Sequence, residues 1–284
     1  MRLRQKAAGV AALIILLALL WVEPWLQHGS AYRLPVLMYH HFDSAAEIST
    51  IVTEERFREQ MTALKGAGYT TVTLQQVLDF VDQGTKLPKK SVLITMDDGY
   101  DSNVTIAAPI LEEMGFCATV FVIGSDAGTV FDIHSGNPHY PTRFSYEEAI
   151  PWVEKGVLDL QSHTFDMHQL ASDGFSGRDG ILPLPGESMT DYYAALHEDM
   201  VSFRSDCEEH GYTAPIIALA YPFGYYSEQS ETALWDEGIR MTFTTMARSN
   251  LLRVGDESCL WNMGRYNVTD HCTGKELVSR LNRS

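Results

Sequence analysis

Cysteine is scarce in this chain. Its 284 residues contain four, Cys117, Cys207, Cys259 and Cys272, and no two stand in a CxxC or other short spacing. A thiolate zinc cluster and a dense disulfide framework are thereby excluded. Positive charge is also short: 21 Lys and Arg face 37 Asp and Glu, a net charge of −16. Arg2, Arg4 and Lys6 are the only charges in the first six residues, so setting those three cations aside leaves −19 on residues 7–284. A body that acidic repels phosphate backbones, and nucleic acid is not an expected partner. No segment repeats at a period of about 20 to 50 residues, which excludes solenoids and propellers. No uncharged apolar run reaches the ~20 residues of a full membrane span.

What is present is ordinary globular composition, 45% hydrophobic and 20% charged, at a length suited to one large α/β domain. Residues 7–22 form an uncharged, nearly wholly apolar run of 16 residues between the basic N-terminus and Glu23-Pro24. Basic flank, apolar centre and polar exit describe a signal anchor or a secretory signal with a candidate cleavage point after Ala31. The expected division is therefore residues 1–31 as signal segment and linker and 32–284 as the working body. That body is expected outside the cytoplasm, anchored to the membrane or secreted, where disulfides are permitted. Cys259 and Cys272 are near enough in sequence to pair there, or to remain two buried thiols.

From residue 35 onward, short apolar runs alternate with helical patterns. Strands are expected at 35–39, 70–73, 91–96, 117–123, 157–161, 215–220, 240–245 and 260–268. Helices are expected at 53–65, 74–81, 103–114, 190–210 and 227–237, and from Ser145, whose Ser-x-x-Glu148 is a capping box. Buried, non-alternating strands followed by helices indicate a parallel sheet with helices outside, and seven or eight such units favour a barrel. Residues 124–142 and 171–189 interrupt the rhythm as long loops, where substrate contacts usually sit.

Polar residues collect immediately after the strands: His40-His41, Thr95-Met96-Asp97-Asp98-Gly99, Ser162-His163-Thr164-Phe165-Asp166-Met167-His168, and Tyr221-Pro222-Phe223-Gly224. The carboxyl ends of barrel strands form one rim, so these distant segments should converge. Alone, each is a turn or a solvated loop. Together, one Asp and two His make a three-ligand set that leaves an open coordination position, as hydrolytic metal sites require.

The segments Thr95 to Gly99, His163 to His168 and Tyr221 to Gly224 resemble, in that order, the first three motifs of the polysaccharide deacetylases, carbohydrate esterases with a NodB homology domain. Pro35-Val36-Leu37-Met38-Tyr39-His40-His41 and Leu160-Gln161-Ser162-His163-Thr164 are similar to the subgroup that deacetylates poly-β-1,6-N-acetylglucosamine. The resemblance spans residues 34–268 and implies a distorted (β/α) TIM-like barrel of about seven strands. It makes Asp97 the general base, and Asp98, His163 and His168 the ligands of one divalent ion, zinc by ligand type, with cobalt or nickel also suited. The family's general acid is a histidine in a Leu-x-x-His motif near the C-terminal end, but the tail offers only His271 without the leucine. Leu37-x-x-His40 carries the pattern at the start of the chain, implying a circularly permuted barrel. His40 is then the acid, with His41 in reserve, and Leu37 lines the acetyl pocket.

The third motif departs from the commonest form, which has an arginine two positions before its proline, where this chain has Ala220. Arg265, on the last expected strand, is the candidate to orient the base in its place. Tyr221, Pro222 and Phe223 would wall the groove, with the Tyr221 or Phe223 amide holding the oxyanion. Phe165, Phe223, Tyr225 and Trp261 are candidates to stack on sugar faces. The implied reaction removes acetyl groups from N-acetylglucosamine in an extracellular or cell-wall polysaccharide, as in a biofilm matrix, releasing acetate. An O-acetyl esterase of the xylan type and a catalytically silent glycan-binding protein are the alternatives.

Overall fold

The computed structural model describes residues 31–44, 48, 50–129 and 142–283. The expected signal or anchor segment and most of the first long loop lie outside them. Among the described residues no helix is long and apolar enough to cross a membrane.

The chain opens with β1 (Ala31–Leu34), β2 (Val36–Tyr39), β3 (His41–Asp43) and β4 (Ile51–Thr53), then α1 (Glu54–Gly66). Next come β5 (Thr70–Thr71), α2 (Leu74–Gln83), β6 (Ser91–Asp98), α3 (Ala108–Met114), β7 (Ala118–Val122), α4 (Tyr146–Glu154) and β8 (Leu158–Ser162). The second half adds α5 (Met189–Glu209), β9 (Ala218–Ala220), α6 (Glu228–Asp236), β10 (Met241–Phe243), β11 (Asn250–Arg253), β12 (Tyr266–Asn267) and α7 (Gly274–Leu281).

Seven parallel strands form one curled sheet in the order β10-β9-β8-β7-β6-β2-β12, with β5 beside β6. The first strand of this sheet thus sits between its third and its last. Its two edges approach through residues 262–265: the Met263 amide donates to Thr242 O at 2.8 Å and Thr244 donates to Met263 O at 2.9 Å. Off the sheet, β1 pairs antiparallel with β11 and β3 pairs with β4.

Alternation along the strands divides the core. Val36, Leu93, Phe121, Ala218, Ala220 and Phe243 point inward and cluster together. Leu37, Tyr39, Ile94, Met96, Val120 and Val122 point outward and meet Phe57, Met61, Leu111 and Phe203 of the helical layer. Burial on both faces is why the strands read as continuous apolar runs.

Local chemistry sets the element ends. Thr53 caps α1 by accepting the Arg56 amide, and Ser145 with Glu148 forms the expected capping box of α4. The expected helix 103–114 begins as a π turn over Asn103–Ala107 because Pro109 has no amide to continue the ladder. β6 runs two residues past its expected stop, since Asp97 and Asp98 still pair with Phe121 and Val122. The expected strand at 260–268 shrinks to two residues, after a 3-10 turn over Glu257–Leu260 and a left-handed Asn262 at φ 54°. Helix α7 was not anticipated, although Thr273 and Glu276 form a capping box at its start. All four cysteines are free, with Cys259 and Cys272 packed against different apolar clusters.

Candidate metal centre and active site

Asp97 stands at the end of β6 with its side chain on the inner face, 2% exposed. Arg265, wholly buried, grips it with two bonds, Nη1 to Oδ1 at 2.6 Å and Nη2 to Oδ2 at 2.8 Å. The guanidinium is itself fixed by Thr244 O and the Thr95 hydroxyl, and Phe121 lies beside it. Burial by itself would raise the Asp97 carboxyl; the Arg265 charge reverses this and holds it below its ordinary value.

Asp98 is turned away from its neighbour by a left-handed backbone, φ 74°. Its Oδ1 lies 3.5 Å from His163 Nε2 and 3.6 Å from His168 Nε2, and the donor atoms of the three residues all lie within 4.8 Å of one another. His163 Nδ1 is 2.8 Å from the Ala220 carbonyl. A carbonyl only accepts, so Nδ1 donates to it, and Nε2 is the nitrogen turned toward Asp98: it donates to the carboxylate while protonated and is the atom that would ligate a metal once that proton is released. One carboxylate and two imidazoles converging on one point, with the outer nitrogen of His163 already anchored, fit a divalent metal ion. Burial would raise Asp98, but the bond from His163 and the charge of His168 bring it well below the carboxylate range. His168 is pushed down to about 4 by burial and then by the His163 charge.

Among the described residues, three of the four non-glycine residues with positive φ adjoin this group: Asp98 itself, Thr164 beside His163, and Phe223, whose ring lies 4.5 Å from His168. Such strain persists where the surroundings impose it, and functional sites are where it concentrates.

The pairing of Tyr39 with Met96 brings His40 alongside Asp97, close enough for its charge to act on both aspartates. Its Nδ1 is buried and finds no hydrogen-bond partner among the described residues. His41 turns elsewhere, with Nδ1 2.9 Å from the Ser102 hydroxyl. Leu37 does not reach the site: it lies on the outer face with Tyr39, one strand position out of phase with Asp97's side. The Tyr221 amide cannot hold an oxyanion, because it donates to Phe243 O at 2.9 Å. Phe223 remains the candidate at this turn, beside buried Pro222. Phe223 and Tyr225 form an exposed aromatic rim, whereas Phe165 packs on the helical layer and Trp261 lies against Trp235.

Two contributors escaped the sequence reading. Arg143 lies over the Tyr100 ring at 3.9 Å and its charge reaches His168. Asp199 of α5 accepts the amides of Phe165 and Asp166 inside the loop between the two histidines. Its sequence signal was an acid on an otherwise apolar helical stripe, Tyr192, Leu196, Asp199 and Phe203.

Comparison with known proteins places these residues in context. Residues 84–242 match the family model described as polysaccharide deacetylase. The Staphylococcus epidermidis poly-β-1,6-N-acetyl-D-glucosamine N-deacetylase is 26% identical over 198 residues, 70% of this chain and 62% of that protein. A Bacillus subtilis protein, YxkH, described only provisionally as a polysaccharide deacetylase, is 29% identical over 78% of this chain and 67% of its own length. The chain therefore spans about two thirds or less of these relatives. The structure of IcaB from Ammonifex degensii superposes with a TM-score of 0.72 at 25% identity, covering 88% of this chain and 97% of that one.

Proposed function

This chain belongs to the polysaccharide deacetylase family, and from that premise we propose that it removes N-acetyl groups from N-acetylglucosamine residues of an extracellular polysaccharide, β-1,6-linked, releasing acetate. The observation that carries the reading is the division of labour between adjacent aspartates. Asp97 is bound to Arg265 and Asp98 faces two histidines. The curled sheet, with its first strand inserted beside its last, is read as a permuted form of the (β/α) barrel. The basic and apolar N-terminal sequence supports a working body held outside the cytoplasm.

Asp98, His163 and His168 would hold the ion, which when bound polarises the amide carbonyl and acidifies water. Asp97, kept ionised and fixed in direction by Arg265, accepts the proton of the attacking water. His40 returns a proton to the departing amine, so amide plus water become acetate and a cationic amino sugar. Phe223 and Tyr225 flank the approach and offer aromatic faces to sugar rings.

The test is acetate release by the purified chain from β-1,6- and β-1,4-linked N-acetylglucosamine oligomers, after chelation and after zinc is restored. Zinc-restored release from the β-1,6 oligomer is expected. Release only from an O-acetylated xylan would replace the amide by an ester substrate, and binding of oligomers without any acetate would leave a glycan-binding protein.

A further inference from the structure

The two histidines opposite Asp98 are held in different ways. His163 continues β8: its amide donates to Val122 O at 2.8 Å and its ring is anchored on Ala220 O. His168 lies five residues on, in a loop with no strand or helix of its own. That loop is gripped from below. Asp199 Oδ2 accepts the Phe165 amide at 2.8 Å and Oδ1 accepts the Asp166 amide at 2.9 Å. From the other side the Gly124 and Ser125 amides donate to Thr164 O and Phe165 O at 3.0 and 2.9 Å. Inside the loop the Thr164 hydroxyl accepts the Met167 amide, and Gln169 donates to Asp166 O.

Asp199 reaches these amides from another element, α5, and is 7% exposed. Burying a carboxylate is costly unless its oxygens are bonded, and here each oxygen takes one amide. An apolar residue would suit this stripe of α5 better for packing alone, with Leu196, Met200 and Phe203 as its buried neighbours. The burial pushes the carboxyl up to about 6, opposed by its two amide bonds.

Resting on the metal reading above, we infer that Asp199 is a positioning residue for His168: by holding the 165–166 amides it sets where the second imidazole stands relative to Asp98 and His163. His163, fixed by the sheet, does not depend on it. The effect of losing Asp199 should therefore pass through His168.

The experiment is zinc affinity of the full-length chain, by competition with a chromogenic chelator, with the melting temperature of the metal-free protein measured in parallel. The variants are Asp199→Asn, His168→Ala, the two combined, and Asp98→Ala. Asp199→Asn keeps one acceptor but presents an amide donor to the other N–H. A fall in zinc affinity of about 10- to 100-fold is expected, as for other outer partners of metal ligands. In the His168→Ala background the same change should cost almost nothing further. Unchanged affinity in Asp199→Asn, or an equal loss in both backgrounds, would overturn the inference and leave Asp199 a fold-supporting group. Wild-type zinc affinity in Asp98→Ala would instead remove the metal reading itself. Should the asparagine variant prove insoluble, Asp199→Glu keeps the charge, moves the oxygens by one methylene and is read against the same backgrounds.

Discussion

Two adjacent, identical residues do different work here because the backbone separates them. Asp97 follows the alternation of β6 onto the inner face, where Arg265 meets it; Asp98, at φ 74°, leaves that pattern and turns to the histidines. Asp97→Asn should therefore retain zinc and lose turnover, whereas Asp98→Ala should lose zinc, both read by metal content and acetate release. Arg265→Ala leaves a buried carboxylate without its cation, a loss of about 3–5 kcal/mol that urea unfolding would register. Arg265→Lys should cost less, keeping the charge but not the two-point grip. The aspartate pair and the histidine spacing were legible in the sequence because their chemistry is local. Leu37 shows where residue-level reading fails. Leu37 and His40 stand three apart, so the alternation that brings His40 beside Asp97 sends Leu37 to the helical layer. Counting strand parity would have revealed this.

At the scale of elements, the site depends on which strand lies next to which. The family match covers residues 84–242, yet His40 and Arg265 fall outside it, one on each side. They reach Asp97 because β2 and β12 stack in succession against β6. The repeated strand-helix rhythm discloses a parallel sheet, and the lack of an arginine two positions before Pro222 leaves Arg265 as the cation for the base. Strand order is not legible in the periodicity, because pairing is settled by long-range contacts; only the Leu37-x-x-His40 resemblance points to the first strand lying at the seam beside the last. Nor are β1, β3, β4 and β11 legible, three or four residues each and too short to show a period. The joint between β8 and β9 carries a further prediction. Gln161 accepts the Ile217 and Ala218 amides and donates to Asp159, which also meets the Tyr212 hydroxyl. Burial pushes Asp159 from 3.8 up to about 6. Between these values the native state holds a proton that the unfolded chain releases, so this contribution to stability falls as pH rises through the window. Asp159→Asn should match wild type near pH 4 and exceed it by about 3 kcal/mol at pH 7 in urea unfolding. A constant difference across that range would show that Asp159 is not the titrating group.

The whole molecule is acidic at −16, and the proposed reaction changes the charge of what it binds. An acetylated polymer is neutral, whereas each acetyl removed leaves an amine that is cationic at neutral pH. The protein's field should therefore act weakly on fresh substrate and attract a partly deacetylated chain, favouring return to a polymer already begun. Such attraction between exposed charges is screened over ~10 Å at 0.1 M salt and over ~3 Å at 1 M. Raising sodium chloride from about 0.05 to 0.5 M should thus weaken binding of a partly deacetylated β-1,6 oligomer several-fold while leaving the fully acetylated oligomer nearly unchanged. Titration calorimetry with Asp97→Asn, expected to bind without turnover, would separate the two. Equal salt dependence for both polymers would mean that the negative charge lies away from the path of the polymer and serves only to keep the protein in solution. A steep dependence for the cationic form alone would place acidic surface along that path, continuous with the Asp97 and Asp98 rim.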